Sequence, residues 1–303
     1  MPSSWIAQRD ALTFGSIFGA VLGLAPLYWQ ARSWNVGNFL FGFWLGSMNL
    51  MRFVNLVVWR NTSENLAPAW CGIYVRFTLA GGAGIASATL ASAHRVAAIA
   101  SGRYLNQRLG EKRVVFTDLT IGLLLPIIQL VASSIPNTLL FIILNKALPV
   151  LVSIGASIYC LLTFLAIRNR QKSMEELICT NTELTVPRYR RLMTLCFIIV
   201  AGSISLSTSL LVSDLIRIPI VPWRGLDDFH RDFGRIGTYP RSSEDWIRYE
   251  KQDNQFGSWV TIALSIGYFG FFISTQEAWR NCLVVTRFII DRIVPPRHHD
   301  SAQ

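Results

Sequence analysis

The chain has 303 residues, of which 51% are hydrophobic and only 15% are charged. Because an average soluble domain carries roughly 25% charged residues, this composition argues against a soluble globular enzyme. The formal net charge of +10 would suggest nucleic-acid binding in a soluble protein. In a membrane protein, however, basic cytoplasmic loops produce such a charge, and we predict no nucleic-acid partner.

Long apolar stretches alternate with short basic ones. A hydrocarbon core about 30 Å thick needs about 20 residues of helix to cross it, and in lipid the backbone must be hydrogen-bonded internally. Seven predicted spans, numbered in chain order, cover residues 12–30, 36–59, 70–101, 114–135, 147–167, 192–216 and 256–273. The predicted fold is an all-α membrane protein, a seven-transmembrane helix bundle formed by residues 1–273. A long outer loop, 217–255, joins spans 6 and 7, and a short cytoplasmic tail covers 274–303.

Individual spans carry further signals. Span 1 has Pro26 near its end, and span 4 contains Pro126. Span 3 is rich in glycine and alanine, and small residues let helix backbones approach closely in lipid, so we expect span 3 to be a central, packed helix. A basic stretch, 102–113, separates spans 3 and 4. The apolar run 139–144 is too short to span and is either a strand in a loop or the start of a helix.

The distribution of basic residues predicts the orientation. Short loops on one side of the spans, together with the tail, hold fifteen Lys and Arg residues, whereas those on the other side hold three. Long loops such as 217–255 carry less weight. The amino terminus should therefore lie outside and the carboxyl terminus in the cytoplasm, and Asn61, in the sequon Asn61-Thr62-Ser63, becomes a glycosylation candidate. This topology is typical of seven-helix receptors, and some transporters or channels share it.

Four polar side chains fall at membrane depth, and such residues should face the bundle interior and pair. They are Asn49, Arg52, Asn55 and Arg76. The asparagines could simply hydrogen-bond helix to helix. Arg76 could contact a ligand or form an internal pair.

Other polar clusters have a structural reading beside a functional one. Arg188, Arg190 and Arg191 could serve membrane topology alone or contact a partner, and His230 could hold its loop or sense pH. Tryptophans at predicted span ends could anchor the interface or line an apolar ligand site. No catalytic motif or metal-ligand set is recognised, so neither an enzyme nor a cofactor is predicted. A small transporter or channel stays open as the alternative. In a transporter, however, glycine or proline should interrupt spans at the membrane midplane.

A series of motifs, spread over the whole chain, resembles the fungal lipopeptide mating-pheromone receptors, the a-factor-type branch of the class D G-protein-coupled receptors. In the first half they are Pro26-Leu-Tyr-Trp29 followed by Asn35, then Asn49, Asn55 and Trp59, then Trp70-Cys71-Gly72-Ile73, Arg95, Asp118 and Pro126. In the second half they are Arg188-Tyr189-Arg190-Arg191-Leu192-Met193, the loop residues Trp223, His230, Phe233 and Ile236, and Phe269-Gly270-Phe271 with Glu277.

Three departures from the family pattern stand out. Lys146-Ala147-Leu148-Pro149 replaces a Gly-Cys-x-Pro, so Cys71 is not predicted to form the disulfide found in relatives. Gly72 stands where the family usually has an aspartate, and the tail is short.

The resemblance implies a multi-pass plasma-membrane receptor whose partners are a farnesylated peptide mating pheromone, a heterotrimeric G protein and membrane lipid. A homodimer stays open. From their positions in the predicted topology, the residues expected to line the ligand site are Trp70, Ile73, Arg76, Trp223, Phe233 and Trp259. Implied G-protein contacts are Arg95, Arg188, Arg190 and Arg191.

Overall fold

The structure is a computed structural model that describes residues 3–32, 34–60, 67–100, 108–132, 143, 147–169, part of 194–212 and 255–273. Every element within these ranges is helical. The helices are α1 (Ser3–Leu24), α2 (Leu27–Arg32), α3 (Val36–Val58), α4 (Pro68–Ala100), α5 (Arg108–Ala132), α6 (Leu148–Asn169) and α7 (Gln255–Ile273). The expectation of an all-α chain is confirmed for the part of the chain that the structure describes.

Among the described residues, five helical segments are long and apolar enough to cross a membrane: Ile6–Arg32, Val36–Val58, Pro68–Ala98, Lys112–Leu130 and Leu148–Leu165. Helix α7 adds 19 residues without a charged side chain. Predicted span 6 is described only at separate helical positions between residues 194 and 212. The chain is thus a multi-pass membrane protein, while the count of seven spans and the orientation of the termini stay predictions.

Two helices begin six or more residues earlier than predicted. Predicted span 1 began at residue 12, but α1 begins at Ser3 and includes Arg9 and Asp10. Their charges are matched at the helix end: Arg60 Nη2 lies 3.1 Å from Asp10 Oδ1, and Arg9 Nη1 donates to the Arg60 carbonyl at 2.9 Å. Predicted span 4 began at residue 114, whereas α5 already begins at Arg108. Hydropathy locates the part of a helix that lies in lipid, but a helix can continue beyond it as a charged turn.

Predicted span 1 is also broken near its end. Two turn residues, Ala25 and Pro26, separate α1 from α2. Proline has no N–H to donate to the preceding turn, and its ring clashes with the carbonyl four residues earlier. Pro126, by contrast, lies inside α5.

Helix α4 is the central helix of the bundle, as its composition predicts. It packs against α3, α5 and α6, and a run of small residues from Ala80 to Ala98 is buried. A Cβ added at Gly84 would lie 2.3 Å from the Trp44 ring on α3, and one at Gly81 would lie 2.4 Å from Met48 Sδ. Side chains of α3 thus occupy the space that the glycines of α4 leave open.

The contacts define two ends of the bundle. At the Trp70 end, α1, α4 and α7 begin and α3 ends, so that Arg60 meets Asp10 and Asn55 meets Trp70. At the Arg95 end, α4 approaches the start of α3 through Asn38. Helix α7 packs against α1 and α3. The predicted loop 217–255, apart from Gln255 at the start of α7, and the tail 274–303 lie outside the described residues, as does nearly all of the run 139–144.

Candidate functional site

A buried polar cluster joins α3 to α7 in the half of the bundle nearer the Trp70 end. Asn49 is fully buried, and its Nδ2 donates to Ser265 Oγ at 3.0 Å and to the Thr261 carbonyl at 3.4 Å. On α1, a Cβ added at Gly19 would lie 3.0 Å from the same amide nitrogen. The expectation that Asn49 pairs inside the bundle is confirmed.

Arg52 lies one turn further along α3 and belongs to the same cluster. Its Nη1 donates to Thr261 Oγ1 at 2.9 Å, and its guanidinium lies beside the Tyr74 phenol on α4. Both neighbours are neutral polar groups. The side chain is therefore placed where α3, α4 and α7 approach one another, and the expected internal pairing of Arg52 is observed.

Trp70 and Asn55 lie next to this polar cluster, at the Trp70 end of the bundle. The indole Nε1 of Trp70 donates to Asn55 Oδ1 at 2.6 Å, and so fixes the start of α4 against the end of α3. Ile73, in the next turn of α4, is 53% exposed. An apolar side chain exposed beside an anchored indole is suited to an apolar ligand, and equally to lipid.

The remaining predicted ligand residues lie apart. Arg76 is exposed on α4, eleven residues before Ser87, whose hydroxyl contacts Gly122 of α5, so Arg76 lies on the α5 side of α4. Trp259 on α7 is 41% exposed and lies against α1, since its ring would be 3.6 Å from a Cβ at Gly15. Trp70, Ile73 and Arg76 thus all lie on the first turns of α4, but Trp70 faces α3 and Arg76 faces α5, and Trp259 lies on α7 against α1. Trp223 and Phe233 lie outside the described residues.

A second polar network occupies the Arg95 end. Ser92 Oγ on α4 lies 3.0 Å from Asn38 Oδ1 on α3, and Tyr268 Oη on α7 donates to the Asn38 carbonyl at 2.9 Å. All three residues are buried. Sequence reasoning missed them. The available signal was an asparagine at the third position of predicted span 2, which in lipid must find partners on other helices.

Arg95, expected to contact a G protein, is only 8% exposed. Its Nη1 donates to the backbone carbonyl of Trp34, a residue whose φ of 53° lies in the left-handed region. Arg95 therefore ties the turn before α3 to the last part of α4. Arg188, Arg190 and Arg191 lie outside the described residues, as does the glycosylation candidate Asn61.

One further pair joins α4 to α5. His94 Nδ1 lies 2.7 Å from Asp118 Oδ1, and Asp118 is completely buried. The edge of the His94 ring meets Tyr159 of α6, with ring centroids 6.0 Å apart. No group of three or more potential metal ligands occurs among the described residues, and the His94–Asp118 contact links α4 to α5.

Comparison with known proteins gives one consistent family. A family model described as the pheromone A receptor, STE3, matches residues 11–147 and 132–287. The pheromone B alpha 3 receptor of Schizophyllum commune is 27% identical over 285 residues, which cover 88% of this chain and 46% of that receptor. Pheromone receptor 1 of Mycosarcoma maydis is 30% identical over 257 residues, which cover 76% and 70% of the two chains.

A more distant relative is the pheromone a factor receptor of Saccharomyces cerevisiae, 21% identical over 235 residues, which cover 70% of this chain and 50% of that receptor. The chain spans slightly less than half the length of the Schizophyllum receptors it matches. The family match includes most of the chain and all the described helices that form the two polar networks. The chain therefore belongs to the STE3 pheromone A receptor family of fungal mating-pheromone receptors, which are G-protein-coupled receptors.

Proposed function

We propose that this chain is the plasma-membrane receptor for a peptide mating pheromone farnesylated at its carboxyl terminus, and that it activates a heterotrimeric G protein to start the mating response. The family match across residues 11–287 is the observation that carries the proposal. It favours a receptor over the alternative of a transporter or channel.

The proposed orientation puts the Trp70 end outside and the Arg95 end in the cytoplasm. The bias of fifteen basic residues against three in the loops and tail supports it. Ligand would then enter near Trp70, Ile73, Arg76 and Trp259, beneath a loop that contributes Trp223 and Phe233. The G protein would meet the Arg95 end, through Arg188, Arg190 and Arg191.

Lipid and peptide should contribute differently to binding. Each buried CH₂ group of a farnesyl chain contributes about 0.8 kcal/mol, so the lipid supplies much of the affinity and first concentrates the ligand in the membrane. The peptide supplies the specificity, because discrimination is a difference between affinities and needs polar contacts. We propose an apolar groove that opens sideways to the bilayer near the Trp70 end.

A reporter assay in a mating-competent host that lacks its own receptor tests the function. Matched synthetic peptides, farnesylated and unmodified, are applied to cells that express the full chain. The farnesylated member is expected to activate the reporter at far lower concentration. Equal potency would contradict the lipid groove, and a chain that reaches the surface but responds to no lipidated peptide would contradict the receptor function.

A further inference from the structure

Arg52 carries a positive charge well inside the membrane-spanning part of the bundle. Helix α3 ends at Val58, six residues later, which corresponds to about 9 Å along the helix axis. A cation at such depth is costly and normally has a partner or a function. The partners of Arg52 therefore decide what the residue is for.

The described partners of Arg52 supply hydrogen bonds but no negative charge. They are the Thr261 hydroxyl and the Tyr74 phenol, and none of the ion pairs in the described part of the chain includes Arg52. A guanidinium has five N–H donors arranged in a fixed fork. Thr261 and Tyr74 hold the fork in place and leave donors for another oxygen acceptor.

The position of Arg52 suits an acceptor that arrives from the Trp70 end. Its side chain is only partly buried, and it is held between α4 on one side and α7 on the other. Asn55 and Trp70 lie one turn nearer the Trp70 end of the bundle, and Ile73 is exposed beside them. A ligand with an apolar chain and a carbonyl group could place the chain along α4 and the oxygen on Arg52.

We propose that Arg52 binds the terminal carbonyl oxygen of the lipidated peptide, which belongs to its farnesylated carboxyl-terminal residue. The proposal rests on the proposed function and deepens it, since it assigns the polar anchor of the ligand to α3. Tyr74 and Thr261 are positioning residues that hold the guanidinium toward the incoming oxygen.

A binding cycle on the purified full chain in nanodiscs tests the contact. The probes are N-acetyl-S-farnesylcysteine methyl ester and N-acetyl-S-farnesylcysteamine, which are both uncharged, share the farnesyl chain, thioether and acetamide, and differ only in the ester group. The unmodified chain is expected to bind the ester roughly tenfold or more tightly, as for one charge-assisted hydrogen bond. In Arg52→Gln the ratio of the two affinities should fall to about one.

Three further variants complete the cycle. Arg32→Gln removes the same charge from an exposed position at the Arg95 end and should keep the ratio of the unmodified chain. Arg52→Lys should keep part of the ratio. If Arg52→Gln does not fold, Tyr74→Phe keeps the charge but loosens it, and should reduce the ratio. An unchanged ratio in Arg52→Gln, or in Tyr74→Phe where the first variant fails to fold, overturns the proposal, as does equal binding of both probes by the unmodified chain. The reporter assay with lipidated peptides tests the proposed receptor function separately. The Arg52 contact and the receptor function can therefore fail independently of each other.

Discussion

The imidazole of His94 on α4 and the carboxyl of Asp118 on α5 lie 2.7 Å apart, and Asp118 is completely buried. In this contact either the ring Nδ1–H donates to the carboxylate or a protonated carboxyl group donates to Nδ1. The contact crosses between two helices that are joined by residues 101–107. Together with the hydrogen bond from the Ser87 hydroxyl to the Gly122 carbonyl, it is a specific polar link between α4 and α5.

Loss of this link should reduce stability. Asp118→Leu leaves the buried side of His94 without its acceptor, and we expect the free energy of unfolding to fall by roughly 1–3 kcal/mol. Asp118→Asn is the matched variant, because its amide can still accept from or donate to the ring, and it should retain most of the stability. Thermal denaturation of the purified chain in nanodiscs measures both. If the leucine variant has the same melting temperature as the unmodified chain, the His94–Asp118 pair contributes nothing to stability.

The positions of the described helices could be predicted from hydropathy, because lipid requires long uncharged helices. The helix ends could not. Helix α1 continues outward from its apolar stretch as far as Ser3 because Arg9 and Asp10 find partners at Arg60, which is about fifty residues away in sequence. Such matching of charges depends on how two helices meet and leaves no local signal.

In the candidate site too, some features could be predicted from the sequence and others could not. The cost of polar groups in lipid predicts that Asn49 and Arg52 pair inside the bundle, and they do. Their partners Thr261 and Ser265, more than two hundred residues away, could not be named in advance. Serine and threonine can satisfy themselves on their own helix, as Ser265 does by donating to the Thr261 carbonyl at 2.9 Å. Their presence in an apolar stretch therefore does not reveal which of them bind another helix.

Two glycines provide a matched test of helix packing. A Cβ added at Gly23 on α1 would lie 2.7 Å from the backbone nitrogen of Gly46 on α3, whereas one at Gly82 on α4 would meet nothing within 4 Å among the described atoms. Gly23→Ala should therefore destabilise the bundle by roughly 1–3 kcal/mol through overpacking. Gly82→Ala should be neutral or stabilise it by up to about 1 kcal/mol through helix propensity. Equal melting temperatures for the two variants would contradict this view of the α1–α3 contact.

The orientation can be tested at Asn61. In a chain whose native cysteines are replaced, Asn61→Cys should react with a membrane-impermeant maleimide on intact cells, because the proposed topology puts the loop after α3 outside. Lys172→Cys, in a predicted cytoplasmic loop, should react only after permeabilisation. Labelling of residue 61 from the cytoplasm alone would reverse the topology, and the receptor function proposed here would not survive it.

Three arginines are proposed to contact the G protein directly, and their replacement should affect signalling but not pheromone binding. Replacing Arg188, Arg190 and Arg191 together by Gln should abolish signalling while pheromone binding at the surface persists, because these charges would meet the G protein. Surface expression is measured in parallel by an epitope tag. If the triple variant fails to reach the surface, the three arginines serve membrane topology instead.

Arg95 is expected to behave differently, because it is buried and bound to the Trp34 carbonyl. Arg95→Gln weakens the tie between α4 and the turn before α3, so we expect raised signalling without pheromone. Arg95→Lys retains a donor and should stay closer to the unmodified chain. If Arg95→Gln instead lowers the response to pheromone and leaves the basal signal unchanged, Arg95 acts as a direct contact.

The role of Arg76 in ligand binding can be tested through its neighbour. Gly72 lies one turn before Arg76, and for an added Cβ the nearest described atom is Arg76 Nη1 at 3.8 Å. Gly72→Asp therefore places a carboxylate within reach of the guanidinium and should compete with any ligand oxygen. Gly72→Asn has nearly the same size without the charge, and both variants change helix propensity to a similar degree.

We expect Gly72→Asp to raise the concentration of farnesylated peptide needed for half-maximal response by several-fold, and Gly72→Asn to have little effect. The response is measured at matched surface expression. Under that condition, a difference in potency between the two variants reports the effect of the added charge on ligand binding. Equal potency in both would remove Arg76 from the ligand site.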